Sequence, residues 1–362
     1  MQTNKNSSEI KKSPMMNKEE INYLKMCKKY PQIFIQAHRT SKQEGFEYFY
    51  SGVSNKNAKK KFLSRIWHVG DGLGVFGRLK RIWTMIGNFR KIMKGKKQCY
   101  SDLEVYYKNL EQAGKITQNT NSNLRNTYPN KELWKELSEY ADKKWNVKLG
   151  FTKLPEQLIF KGKGVLFRYA LVCIQEMEKE KIDQAPKKIA GVEVMRVYAT
   201  LGFAVNDIAE WLRSRGVNCQ SNHPLGGLVN TPPLAGKAGL GWIGRHGLLI
   251  TPEFGPRHRI APILIENKTF EYTDSTEHRW IEQWCKNCGK CQKECPTQAI
   301  YSEKQVSIEN VAGISNTRTC INRDKCFPYF NETFGCSVCI KVCPFSKGIT
   351  SYKRLKKVVK DK

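Results

Sequence analysis

The chain has 362 residues, of which 40% are hydrophobic and 11% aromatic, and it carries a formal net charge of +29. These values indicate a soluble globular protein with two or three structural units. A charge this large attracts polyanions such as nucleic acid or an anionic membrane surface, although a lysine-rich proteome produces the same surplus. No apolar run approaches the ~18 residues that span a bilayer, which excludes a membrane-spanning helix. The polar N-terminus has no apolar signal segment, so we expect a cytoplasmic location.

Residues 1–20 are polar and are predicted to be disordered, and residues 21–130 are predicted to form a basic, helical N-terminal region. Between residues 56 and 97, apolar and aromatic side chains recur at helical spacing among lysines and arginines. Two interpretations are open for this stretch. It binds a membrane surface or tRNA, or it forms two helices that pack on the body of the protein with solvated lysines.

An α/β pattern extends from residue 131 to residue 275. Apolar residues recur at helical spacing in KELWKELSEYADKKW and in EVMRVYATLGFAVNDIAEWLRSR, whereas shorter apolar runs indicate buried strands. The predicted elements are a helix over 131–145, a strand over 164–175, a helix over 193–215, and strands over 247–251 and 260–266.

The stretch Gly239–Gly244, GLGWIG, has the G-x-G-x-x-G spacing of a dinucleotide-binding site. That site needs a strand before the first glycine and a helix after the last. Here Pro232 and Pro233 rule out a central strand before the motif, and the apolar run that follows reads as a strand. A second match, Gly72–Gly77, also follows no strand. We therefore exclude a nicotinamide dinucleotide site at both places.

Thirteen cysteines in a cytoplasmic protein indicate metal ligation rather than disulfide bonds. CKNCGKCQKECP has the C-x2-C-x2-C-x3-C-P spacing of a bacterial ferredoxin, in which three cysteines bind one 4Fe-4S cluster and the fourth binds a second. GCSVCIKVCPF supplies three further cysteines for such a pair of clusters. A zinc ribbon, with paired C-x2-C knuckles, fits this spacing less well.

The crossover of the fourth cysteine assigns ligands to each cluster. The predicted ligands of the first cluster are Cys285, Cys288, Cys291 and Cys343. Those predicted for the second cluster are Cys295, Cys336, Cys339 and Cys326, with Cys320 as the alternative for the last position. Cys326 is preferred because it is closer and lies beside an aromatic stretch that can shield a cluster.

The order of an α/β body, GLGWIGRHGLLITPEFGPRHR and two cysteine runs resembles the corrinoid iron–sulfur reductases, which comprise reductive dehalogenases and epoxyqueuosine reductases. AGLGWIG resembles the epoxyqueuosine reductases, whereas GRHGLLITPEFGPRHR and KCFPYF…GCSVCIKVCPF resemble the dehalogenases. The resemblance covers residues 160–348. It implies an α/β, nitroreductase-like core over 131–275 that binds base-off cobalamin, followed by a double 4Fe-4S ferredoxin-like domain over 276–348. A basic tail over 349–362 ends the chain.

The resemblance also implies a set of cofactor-binding residues. Small residues let the backbone approach a flat macrocycle closely, and two polar residues of CQSNHPLGG are expected to line the pocket. The predicted residues are Gly236, Gly239, Gly241, Gly244, Asn222 and His223. The alternative for the glycines is that they form tight turns between strands.

In dehalogenases a tyrosine donates the proton, and a basic residue stabilises the phenolate. The stretch EWLRSRG matches the end of the helix that carries this tyrosine, which places Tyr198 at the catalytic position. The basic partner is predicted to be Arg259, with Arg257 as second choice. An Asp-Tyr-His motif of the epoxyqueuosine type is absent from the sequence. The alternative for Tyr198 is an ordinary core residue on an apolar helix face.

The function implied by the resemblance is an oxidoreductase of the reductive dehalogenase type. Electrons from a low-potential ferredoxin or flavodoxin pass through two 4Fe-4S clusters to cobalamin, for the reductive cleavage of a small organic substrate. One alternative is an epoxyqueuosine-type reductase that acts on tRNA, which the net charge favours. A second alternative is a ferredoxin-like electron carrier without a corrinoid.

Overall fold

This computed structural model describes residues 35–36, 129–159, 164–224, 228–302, 306–307, 318–319, 321–333 and 335–360. The stretch predicted to be disordered, the basic stretch 56–97, the glycine motif Gly72–Gly77 and Cys320 lie outside these residues. None of the described helices combines the length and apolar character needed to cross a membrane.

Helices and strands are numbered in chain order among the described residues. The helices are α1 (Lys131–Trp145), α2 (Lys179–Ile182), α3 (Lys188–Arg213), α4 (Thr231–Lys237), α5 (Trp280–Cys288), α6 (Lys290–Lys293), α7 (Arg323–Glu332), α8 (Val338–Lys341) and α9 (Ile349–Lys360). The strands are β1 (Ile35–Gln36), β2 (Val147–Lys153), β3 (Gly164–Val165), β4 (Tyr169–Glu176), β5 (Cys219–Ser221), β6 (Trp242–Ile243), β7 (Leu249–Ile250), β8 (His258–Ile265), β9 (Val306–Ser307) and β10 (Arg318–Thr319).

The core is built on a four-stranded antiparallel sheet with the strand order β2-β4-β8-β5. The central strands, YALVCIQE in β4 and HRIAPILI in β8, are largely apolar, as expected for strands covered on both faces. Side chains of β4 alternate between the faces, so that Leu171 and Cys173 enter one hydrophobic core and Ala170 and Val172 enter the other.

Helices cover both faces of this sheet. Leu137 of α1 and Leu201 of α3 pack with Leu171 on one face, whereas Leu234 of α4 packs with Val172 on the other. The core is therefore a three-layer arrangement of helices and sheet. The predicted α/β class is confirmed.

Helix α1 has the bounds that its sequence predicts. The side chain of Asn130 accepts a hydrogen bond from the Leu133 amide at 2.9 Å, which caps the first turn. Asn146 ends the helix in the left-handed region, with φ of 50°. Asp207 of α3 accepts hydrogen bonds from Tyr140 and Lys144, so α1 is tied to α3.

Other elements differ from the sequence prediction in their bounds. The strand predicted over 164–175 is divided into β3 and β4, and the strand predicted over 247–251 is reduced to β7. The helix predicted over 193–215 begins earlier, at Lys188, because Ala190 continues its buried face. Several core elements were not predicted, among them β2, β5 and α4.

The cysteine-rich region forms short helices around its cysteines, and α9 packs on them. Residues 349–362 were predicted as a basic tail, but residues 349–360 form this helix. Its Tyr352 and Leu355 are buried against Ile281 of α5 and Phe345. The lysines lie mainly on the remaining faces, so their high density in the sequence hides an amphipathic helix.

Candidate redox site

The first cysteine run lies on α5 and α6. Cys285 and Cys288 belong to the last turn of α5, and Cys291 follows on α6. Between them Gly289 adopts φ of 59°, in the left-handed region that glycine enters without steric cost. The chain therefore turns sharply between the second and third thiols, as three ligands around one cluster require.

Cys343 joins these three cysteines from the second run. Burial raises the pKa of the Cys343 thiol well above its ordinary value, and the neighbouring thiols of Cys285, Cys291 and Cys288 raise it further. Like groups shift one another in this way only when they are close. The structure thus brings together the four cysteines predicted for the first cluster.

The second group forms around Cys326 of α7. Burial raises the pKa of Cys326 to about 11, and Cys295 and Cys336 contribute to the shift. The pKa of Cys339 is raised by burial and then by Cys336, Cys291, Cys326 and Cys295. The structure therefore places Cys326 with the three other cysteines predicted for the second cluster. Its role as a ligand stays a prediction.

Cys295 is held in a setting that favours a metal-binding thiolate. Burial acts to raise its pKa, but hydrogen bonds from the Ala299 amide, at 3.3 Å, and from Thr297 outweigh burial and lower it. Among the described residues, no three His, Cys, Asp or Glu side chains are spaced to hold a single metal ion. The two groups of four cysteines match the ligand number of two 4Fe-4S clusters.

Tyr198 and Arg259 lie together beside the second cysteine group. Tyr198 comes from α3 and Arg259 from β8, and the guanidinium carbon is 4.9 Å from the centre of the tyrosine ring. Tyr198, Cys336 and Cys339 are partly buried against the same apolar core, which includes Val194 and Val197. The structure thus brings together the predicted proton donor and its predicted basic partner. Their catalytic role stays a prediction.

Arg257, the second choice for the basic partner, has its guanidinium occupied elsewhere. It donates to the carboxylate of Glu176 at 2.6 Å and to the carbonyl oxygens of Met177 and Ser346, both at 2.8 Å. The residue is only 3% exposed. Arg257 therefore joins the end of β4 to the segment after Cys343, and Arg259 alone stays the predicted basic partner.

Asn222 and His223, the predicted pocket residues, are fully buried. The amide of Asn222 donates to the carbonyl oxygen of His223 at 3.1 Å and accepts from the Leu228 amide at 2.9 Å. The side-chain amide of Asn222 is therefore used in hydrogen bonds to neighbouring backbone groups. Contact of either residue with a substrate or cofactor stays a prediction.

The glycines of GLGWIG are explained by the protein's own packing. A Cβ atom at Gly239 would lie 1.9 Å from the Thr273 carbonyl oxygen, and one at Gly241 would lie 2.1 Å from that of Ile250. At Gly244 it would lie 2.6 Å from the Ile250 side chain. The arrangement supports the tight-turn interpretation of these glycines. Gly236 lies on α4, where a Cβ atom would make only ordinary contacts.

The same segment carries a residue that the sequence analysis missed. Arg245 donates hydrogen bonds to the carbonyl oxygens of Cys285, at 3.0 Å, and Lys286, at 2.9 Å. A cation at the end of α5 satisfies carbonyl groups that the helix leaves free. Arg245 thus holds the first cysteine run against the core. The sequence signal that could have identified Arg245 is its position directly after the glycine motif.

A corrinoid would bind to polar groups that the protein does not already use. Several buried polar atoms have no hydrogen-bond partner in the part of the chain that the structure describes, among them Gln220 Nε2, Asn230 Oδ1 and Arg259 Nε. Buried polar atoms are rarely left unpaired, so these indicate a bound water or ligand. Such atoms fit the donors and acceptors of a corrinoid, and contact of Gly236, Gly239, Gly241 or Gly244 with a cofactor stays a prediction.

Two buried histidines make the folded protein sensitive to acid. Burial lowers the pKa of His246 from 6.5 to about 4, and burial together with Arg259 lowers that of His258 to about 3. The unfolded chain takes up protons below about pH 6.5 and the folded protein does not, so stability falls as the pH is lowered. We expect each histidine to reduce the free energy of unfolding by about 2 kcal/mol at pH 5.

The matched test is His258→Gln, which removes one of the two titrations. Urea unfolding under anaerobic conditions at pH 7.5 and pH 5 should show a loss smaller by about 2 kcal/mol in the variant than in the parent protein. Because both proteins have the same cysteines, the acid sensitivity of bound clusters cancels in this comparison. An equal loss in both proteins would show that His258 titrates normally.

The known proteins that this chain resembles fall into two groups. The family described as a 4Fe-4S double cluster binding domain matches residues 284–346. A tetrachloroethene reductive dehalogenase of Desulfitobacterium hafniense is 32% identical over 196 residues, which cover 52% of this chain and 34% of that protein. An epoxyqueuosine reductase of Lactococcus garvieae is 27% identical over 128 residues, which cover 35% of this chain and 34% of that protein.

A solved reductive dehalogenase, described as B12-dependent, shares the fold with a TM-score of 0.54 at 20% identity, over 67% of this chain and 36% of that one. In each comparison the matched part is about a third of the relative's length. The chain is therefore a relative of the reductive dehalogenases and epoxyqueuosine reductases, nearer to the dehalogenases, and it contains a 4Fe-4S double cluster binding domain.

Proposed function

We propose that this chain is an oxidoreductase, the redox part of a cobalamin-dependent, 4Fe-4S reductase of the reductive dehalogenase type. The observation that carries the proposal is the contact of Arg259 with the Tyr198 ring, together with the packing of Tyr198, Cys336 and Cys339 against one apolar core. A proton donor with a cationic neighbour, next to a site that carries electrons, is what a reductive cleavage needs. The similarity to dehalogenases supports the same reaction class.

Removal of a halogen from carbon consumes two electrons and one proton and yields a carbon–hydrogen bond and a halide ion. A low-potential ferredoxin or flavodoxin supplies the electrons, which pass through the two clusters one at a time. The Tyr198 hydroxyl gives the proton to the carbon atom, and the Arg259 guanidinium stabilises the phenolate until solvent returns a proton. A bound corrinoid would supply a cobalt ion that transfers electrons to carbon, and Gln220, Asn230 and Arg259 would hold it.

Tyr198→Phe is expected to lower the rate of dehalogenation by about 100-fold or more, because it removes the general acid and keeps the ring. The measurement is halide release from tetrachloroethene and from a brominated phenol by the cobalamin-reconstituted protein with a chemical reductant. The control is Tyr169→Phe, since Tyr169 packs on Phe151 and Tyr272 in the core. An unchanged rate in Tyr198→Phe, with equal iron and cobalt contents, would contradict the assignment.

Metal analysis separates this proposal from an electron carrier without a corrinoid. Anaerobic isolation in the presence of cobalamin is expected to give about eight iron atoms, as two 4Fe-4S clusters require, and about one cobalt atom per chain. Electron paramagnetic resonance then reports the state of the cobalt. Iron without retained cobalt would leave the ferredoxin-like carrier as the better description.

An epoxyqueuosine-type reductase that acts on tRNA is the second candidate, favoured by the net charge of +29 and by the similarity to such reductases. Binding of tRNA through lysines and arginines would weaken steeply as salt is added. Loss of the epoxide from the modified nucleoside, without halide release from either halogenated compound, would decide for this candidate.

A further inference from the structure

The outer side of the first cysteine group carries exposed lysines. Lys286, Lys290 and Lys293 follow Cys285, Gly289 and Gln292 along α5 and α6, and all three side chains are exposed to solvent. Cys285 and Cys288 are themselves only partly buried. The first cluster would therefore lie close to the protein surface, under a group of positive charges.

Helix α9 adds charge to the same surface. Its Tyr352 and Leu355 pack in one apolar core with Cys285 and Cys343 of the first group. The exposed residues of α9 include three further cations, Lys353, Arg354 and Lys357. Because a helix with its side chains is ~10 Å wide, these charges lie about one helix diameter from the first cluster.

These cations form no ion pair with another side chain that the structure describes. In the core, lysines and arginines are commonly paired with carboxylates, such as Lys144 with Asp207 at 2.7 Å and Lys237 with Asp274 at 3.0 Å. Lys356 of α9 pairs with Glu277 at 2.6 Å. The charge of the other cations is available to an acidic partner.

The second cysteine group has the opposite setting. Cys336 and Cys339 pack against the same apolar core as Tyr198 and Leu248, so the second cluster would lie on the side of the predicted reaction site. Electrons from outside would therefore enter at the first cluster. An RNA substrate would have to reach Tyr198, which packs against the same apolar core as the second cysteine group, so it gains nothing by binding over the first. A protein that delivers electrons has to bring its own redox centre near this surface.

We infer that Lys286, Lys290 and Lys293, together with the exposed side of α9, form a docking surface for a small acidic protein that carries one electron at a time. This inference rests on the proposed function only in requiring two 4Fe-4S clusters. Complementary charge accelerates encounter between such proteins and makes the association rate fall as salt is added. Neither cobalamin nor an organic substrate is needed for this step.

The test is the rate at which a reduced flavodoxin reduces the clusters, followed by stopped-flow absorbance under anaerobic conditions. The test variant is Lys286→Gln/Lys290→Gln/Lys293→Gln. The matched control, Lys131→Gln/Lys135→Gln/Lys153→Gln, removes the same charge from exposed lysines of the core. We expect the association rate constant at low salt to fall at least tenfold in the test variant and less than twofold in the control. Dithionite should reduce the clusters of both variants at the parent rate.

Three results would overturn the inference. They are an equal fall in both variants, a parent rate without salt dependence, and an unchanged flavodoxin rate in a test variant that has lost binding to an RNA oligonucleotide. If the triple variant loses its iron, Lys353→Gln/Lys357→Gln on α9 replaces it with the same expected direction. Because only cluster reduction is measured, a failure to dehalogenate leaves the result unaffected.

Discussion

Replacing Cys326 with serine is expected to leave the protein with one 4Fe-4S cluster instead of two. Cys326 lies with Cys295, Cys336 and Cys339, and serine is a poor iron ligand in place of a thiolate. Iron should fall from about eight to about four atoms per chain. Dehalogenation should be abolished with any electron donor that enters at the first cluster, because the remaining cluster no longer connects to Tyr198.

The matched control for this prediction is Cys320→Ser, which removes the alternative ligand. We expect this variant to retain about eight iron atoms and the paramagnetic resonance of two interacting clusters. The measurements are iron analysis and electron paramagnetic resonance of the anaerobically reduced proteins. The reverse result, with iron lost from Cys320→Ser and kept in Cys326→Ser, would move the eighth ligand to Cys320.

Gly239→Ala is expected to destabilise the cobalamin-free protein by about 3 kcal/mol or more. Gly239 has φ of 72°, and its new Cβ atom would meet the Thr273 carbonyl oxygen at 1.9 Å. Thr273 has no room to move away, because its amide donates to Phe151 and its hydroxyl donates to Ala238 at 2.7 Å. Urea unfolding without cobalamin measures the effect.

Gly216→Ala is a matched control for this substitution. Gly216 has φ of 78°, but nothing lies within 4 Å of an added Cβ atom. This variant should lose only the ~1 kcal/mol that a left-handed backbone costs a residue other than glycine. If Gly239→Ala were as stable as Gly216→Ala and impaired only cobalamin binding, the glycine would serve the cofactor and not the turn.

The parts of the fold that the sequence predicts are those in which local signals agree with the tertiary environment. Helix α1 has a capping asparagine, an apolar stripe and basic residues in its last turn, so its bounds follow from the sequence. The spacing of the cysteines likewise fixes the number and kind of clusters, because each two-residue gap places successive thiols around one site.

In the elements that were not predicted, the local sequence signals do not agree with the tertiary environment. Pro232 and Pro233 argued against a strand, and the same prolines occupy the first turn of α4, where a missing amide hydrogen costs nothing. Strand β2 begins one residue after α1 ends, so no loop sequence separates the two elements and indicates where a strand starts. In α9 the density of lysines concealed the apolar face that packs on the cluster domain.

The site residues also divide into those that local sequence patterns predict and those that depend on the tertiary structure. Tyr198 and Arg259 are 61 positions apart in the sequence, and only the resemblance paired them. Their contact depends on α3 crossing the sheet beside β8, which no local pattern encodes. For the glycine motif, spacing alone does not tell whether a ligand or the chain itself fills the space above a glycine.

Arg257 has a consequence for how the molecule unfolds. Its guanidinium binds Glu176 and Met177 on one side and Ser346 on the other, away from water, and one apolar core combines Trp242 with Phe345. The sheet core and the cysteine-rich region thus share a buried arginine and one apolar core. Two regions joined in this way unfold as a single cooperative unit rather than in two steps. Stripping iron with a chelator should therefore lower the melting temperature of the sheet as well, in one transition.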